Sequence, residues 1–151
     1  MARPHIIIVA VTSLLCAALL LWGVTTGTSV MGYVVAEGSA GIVVSDQSAE
    51  NGTVVIGSVL TPTDAFVVVH QEVDGKPGKR LGYVWVPAGE STDVVLTLDP
   101  AVEVTPNLIA AIHADRSEAG VYEFDMGNMA GSPDRPFFID GGEVATVFAV
   151  R

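Results

Sequence analysis

The stretch AFVVVH, Ala65–His70, is an apolar run with three consecutive valines, closed by a histidine. Valine is stiff at χ1 and fits the pleated surface of a strand better than the flank of a helix. A second stretch, LIAAIH at Leu108–His113, has the same form. Outward from these two, short runs rich in Val, Ile, Phe, Tyr and Thr recur. Strands are expected near Ile42–Ser45, Thr53–Leu60, Ala65–Gln71, Leu81–Val86, Asp93–Leu98, Leu108–His113, Val121–Phe124 and Val144–Val150. Turn residues separate them: Asn51-Gly52, Pro87–Gly89 and Asp140–Gly142, types that tolerate positive φ or preset a bend.

Alternation assigns the faces. Val94, Leu96 and Leu98 point one way and Val95 and Thr97 the other, while Tyr83 and Trp85 oppose Val84 and Val86. The expected core is Phe66, Val68, Trp85, Leu96, Ile109, Tyr122 and Phe124. No amphipathic helix follows the N-terminal apolar segment, and strands recur every 8 to 12 residues or so. The expected fold is therefore all-β: an antiparallel β-sandwich of about eight strands, immunoglobulin-like in topology. No repeat and no low-complexity tract interrupts it.

The N-terminus carries different chemistry. From Ile6 to Val24 the chain reads IIIVAVTSLLCAALLLWGV, and no charge appears until Glu37. About twenty apolar residues span a bilayer as a helix. Ile6, Leu14 and Leu20 would sit in the hydrocarbon, with Trp22 at the interface. Arg3 would hold the N-terminus in the cytoplasm and place the rest outside, a single-pass cell-membrane protein. A cleaved signal peptide is the competing reading and would release a secreted protein, although its apolar region runs to about 7 to 15 residues. The expected organisation is an anchor or signal segment over 1–24, a linker over 25–40 and the β-sandwich over 41–151.

Charge and composition narrow the partners. Seventeen acidic against 7 basic residues give a formal charge of -10, which argues against nucleic acid and against anionic headgroups. It suits a solvated surface, or one adapted to high salt. The single cysteine, Cys16, lies in the apolar leader, so the exported part has no disulfide and no thiolate ligand. No G-x-S-x-G, Walker loop, H-E-x-x-H or paired CxxC is present, and the chain is expected not to be an enzyme. The basic cluster Lys76–Arg80, KPGKR, reads as a solubilising loop. Asn51–Thr53 is a glycosylation sequon.

Of three histidines, only His70 and His113 lie in the β region. Neighbouring strand ends would bring their rings together, either as hydrogen-bonded rim residues or as ligands. With Asp115 they would suit zinc, and with Met126 and Met129 copper. Otherwise no cofactor is expected. Asp115, Ser117, Gly120 and Glu123 echo a calcium loop, but Ala119 and Met126 stand where oxygen ligands belong. A structural loop is the expectation there.

Blocks at Phe66–His70, Leu81–Asp99, Leu108–Phe124 and Ser132–Phe138 resemble successive segments of an uncharacterised domain family, abundant in exported cell-surface proteins of halophilic archaea. The resemblance spans about Ser45 to Val150. The "H-x-D…G-x-Y-[DE]-F" segment carries most of its specificity. It implies a β-sandwich outside the cell and no activity; members carry Asn and a further acid where Ser117 and Ala119 stand here. The expected function is a membrane-anchored extracytoplasmic module, structural or protein-binding, with a metal-binding domain as the alternative.

Overall fold

Apolar runs this short can satisfy their backbone N–H and C=O groups only by pairing with one another. The computed structural model describes residues 40–151 and, upstream, the backbone of two short strands, β1 (Ser29–Val30) and β2 (Tyr33–Val35), within the segment read as a linker. The expected anchor, with Ile6, Leu14, Leu20 and Trp22, lies outside the described residues. Among those described, no helix is long and apolar enough to cross a membrane. The strands that follow are β3 (Gly41–Val43), β4 (Thr53–Thr61), β5 (Ala65–Val73), β6 (Lys76–Val86), β7 (Gly89–Thr97), β8 (Asn107–Ala114), β9 (Phe137–Ile139), β10 (Gly142–Glu143) and β11 (Ala145–Ala149). One 3-10 turn, η1 (Met126–Asn128), precedes β9.

The fold is all-β. One sheet runs β3-β4-β7 and a second β11-β8-β5-β6, both antiparallel. A small third sheet, β1-β2-β9-β10, holds β2 parallel to β9. The core lies between the first two sheets. Val54, Ile56 and Val59 of β4 and Leu96 of β7 join Val67 and Val69 of β5, Leu81 of β6, and Leu108, Ala110 and Ile112 of β8 in one buried cluster. Asp46 Oδ1 accepts from Ala149 N, and Gln47 and Val150 form a parallel bridge, so the two ends of the β region are fastened side by side.

Two expectations need correction. The KPGKR cluster is not a loop: it forms the first half of β6, because Asp74-Gly75, with φ of 53° and 76°, already completes the turn from β5. Two successive residues at positive φ make the tight hairpin type whose twist matches the strands. Pro77 is tolerated because β6 is an edge strand, and the register shifts around His70 accommodate it. Val121–Phe124 is not a strand either. It has no neighbouring ladder: Val121 N donates back to Glu118 O at 2.9 Å, Glu123 N to Asp134 Oδ2 at 2.6 Å and, just past the segment, Asp125 N to Ser132 Oγ at 2.8 Å.

Candidate functional site

Strand β5 is buried on both faces from Ala65 to His70. Its odd-numbered residues enter the core between the sheets, while Phe66, Val68 and His70 point the other way. On β8, Ile109, Ala111 and His113 share that outer face, since Phe66 pairs with His113, Val68 with Ala111 and His70 with Ile109. Solvent is kept from this face by residues 115–136, which cross it without regular strand structure.

Asp134, fully buried, pins that cover: its Oδ1 accepts from Arg116 N at 2.9 Å and its Oδ2 from Glu123 N. Tyr122 and Phe124 then reach down onto the sheet. Tyr122 packs edge-on against Phe66 at 5.1 Å and stacks with Tyr83 at 4.7 Å, and the Arg80 guanidinium lies 5.0 Å over Tyr83. Phe124 meets His113 edge-on at 4.7 Å.

The two imidazoles do come close, but not as neighbouring strand ends. Antiparallel pairing places them at opposite ends of the ladder: His113 faces Phe66, four positions before His70. Both rings lie over the same face and stack at 6.1 Å, 25° from parallel. His70 Nδ1 lies 3.1 Å from the Gly78 carbonyl. A carbonyl only accepts, so Nδ1 carries the proton and Nε2 keeps its lone pair. Burial holds His70 below its usual pKa. His113 Nδ1 is 3.1 Å from the Tyr122 hydroxyl, and its ring also bonds the Asp134 backbone. Burial, with His70 beside it, pushes His113 down to about 3. The same burial pushes the Tyr122 hydroxyl and the Glu143 carboxyl up.

A pH dependence follows. His113 stays neutral in the fold, whereas the unfolded imidazole takes a proton near 6.5. The stability it contributes is fully present above that value and is lost as pH falls toward about 3. Glu143 acts in the opposite sense, so the comparison must isolate His113. The stability advantage of wild type over His113→Gln, read from denaturant melts, should shrink between about pH 7.5 and about pH 4.5. A constant advantage would contradict the buried neutral ring.

Beside the histidines a cleft of about 370 Å³ opens, lined by His70, His113, Phe124, Met126, Met129 and Phe138, with Lys76 and Glu143 among its walls. Met126 begins η1 and Met129 caps it with helical backbone angles. Positions three apart eclipse on a 3-10 turn, and both methionines line the cleft. They are 57% and 42% exposed.

The remaining site and core residues divide. Phe66, Val68, Leu96 and Ile109 are buried as expected. Trp85 is not a core residue: it is 40% exposed on the outward face of edge strand β6, and its Nε1 donates to Asp115 Oδ2 at 2.9 Å. Tyr122 and Phe124 are half-buried cover rather than core. Asp115 stands apart from the cleft. Its Oδ2 also accepts from Gly120 N at 2.8 Å, closing the loop on itself, and its Oδ1 is buried with no hydrogen-bond partner among the described residues. Among those residues no three His, Cys, Asp or Glu side chains gather as a metal-holding group. Sequence reading gave no signal for Asp134, one carboxylate among 17 acidic residues.

The family model described as a domain of unknown function (DUF7282) matches residues 40–151. No curated protein and no solved structure matches the chain.

Proposed function

The chain belongs to the DUF7282 family over residues 40–151, and on that premise we propose that it is a membrane-anchored, extracytoplasmic binding module of the cell envelope, not an enzyme. The fold reads as an immunoglobulin-like sandwich. Counting from β3 and leaving out β9 and β10 of the small sheet, the first, second and fifth strands make one sheet, and the third, fourth, sixth and seventh the other. The uncharged stretch Ile6–Val24 supports anchoring, and 17 acidic against 7 basic residues support exposure to a salt-rich exterior.

One observation carries the binding role. Tyr83 and Trp85 lie 44% and 40% exposed on edge strand β6, beside exposed Arg80. Tyr, Trp and Arg are the residues enriched where interfaces bind most strongly. A photo-cross-linking group installed at Tyr83, in the full chain in its own membrane, is expected to capture a discrete partner on the outer side. The same group at Val95, 59% exposed on the opposite sheet, should capture none. Equal capture at both positions, or recovery of the intact chain from the cytosol, would refute the assignment.

A metal-binding function is a second reading, favoured because His70, Met126 and Met129 line the same cleft. Zinc held through Asp115 is not supported, since that carboxylate serves Trp85 and Gly120 instead.

A further inference from the structure

We infer that the cleft is a copper(I) site, with His70 Nε2 and the thioether sulfurs of Met126 and Met129 as its ligands. This inference rests on the exported-module reading and names what its cleft takes.

Three observations converge. Both methionines line the same cleft as His70, at either end of η1. Both residues are exposed although methionine is an apolar residue that ordinarily fills a core. His70 has the arrangement of a ligating histidine: one ring N–H is donated to a backbone carbonyl, which fixes the tautomer and orients the other nitrogen's lone pair.

The donor set selects the ion. Thioethers are soft and neutral, a poor match for calcium or zinc and a good one for copper(I). The part of the cleft wall made by Phe124, Pro136 and Phe138 is apolar and favours an ion of low charge. His113 is no ligand in this arrangement. Tyr122 and the Asp134 backbone occupy its ring, and it acts as a packed support beneath His70.

The test uses the full chain in detergent, without oxygen, titrated with copper(I) held by a chromophoric chelator. One equivalent is expected to pass to the protein, and X-ray absorption should show sulfur and nitrogen neighbours. Met126→Leu/Met129→Leu keeps the apolar volume on an exposed turn and should melt as wild type does. Loss of two ligands should cost more than the roughly 100-fold typical of the strongest supporting-residue changes. His113→Gln should cost no more than about that supporting-residue range. No transfer from the chelator, undiminished affinity in the double variant, or zinc(II) bound as tightly would overturn the site. Should the double variant unfold, an absorption spectrum of wild type lacking copper–sulfur scattering would overturn it equally. If copper fails while cross-linking at Tyr83 persists on the outer side, only the copper inference falls. Recovery of the chain from the cytosol would instead refute the exported reading, whatever the copper result.

Discussion

Phe66→Ala is expected to destabilise the protein by about 3–5 kcal/mol, near the top of the range for a single core truncation. Phe66 has no exposed surface, yet it does not belong to the cluster between the two sheets. Its ring fills the space between β5 and the cover, edge-on to Tyr83 at 5.9 Å and to Tyr122 at 5.1 Å. Removing it opens a void that Tyr122 cannot fill while its hydroxyl stays near His113, so the loss combines burial with cavity formation. Urea melts of the full chain would measure it. Phe66→Leu, which keeps most of the volume, should cost less than about 1.5 kcal/mol. A cost below about 1 kcal/mol for alanine would mean that the outer face is not packed as described.

Asp134→Ala should be nearly as severe, at about 2–4 kcal/mol, by a different route. The carboxylate is the common acceptor for Arg116 N and Glu123 N, two amides with no strand partner. Hydrogen bonds to a charged acceptor are worth about 1.5–3 kcal/mol each, and two sharing one side chain do not simply add. Without it residues 115–136 lose the tie that holds their two ends together, while β4, β5 and β8 keep their ladders. Amide exchange should accelerate at Arg116 and Glu123 and stay slow at Val67 and Ile112. Uniform acceleration throughout the sheets would show that the cover does not open separately.

Where the sequence pattern is strong, the strands follow it. The ranges expected for β4, β5 and β8 match within two residues at each end, because largely apolar runs between turn residues leave little choice of register. Pattern misleads where the competing physics is non-local. Pro77 and Gly78 look like loop residues, but an edge strand needs no amide from Pro77. Val-Tyr-Glu-Phe at Val121–Phe124 alternates like a strand, yet its amides turn back to Glu118 and across to the Asp134 carboxylate instead of to a ladder. Trp85 is apolar enough for a core, yet its indole N–H finds a carboxylate at the surface. The four side chains singled out for copper do line one cleft. Sequence could name their types but not separate ligand from support. That depends on how many partners each ring already has: His70 meets the Gly78 carbonyl through Nδ1, whereas His113 meets both the Tyr122 hydroxyl and the Asp134 backbone.

The fastening of Asp46 and Gln47 to Ala149–Arg151 has a mechanical consequence. Gln47 N donates to Ala149 O and Arg151 N to Gln47 O, both at 3.1 Å, with the two segments running the same way. Tension applied across the ends of the β region would drag these segments past each other, loading the bonds together in shear instead of peeling them one by one. A domain tethered through one end and gripped by a partner would thus meet stiff resistance at this clasp, once the load has passed β3, which precedes it in the chain.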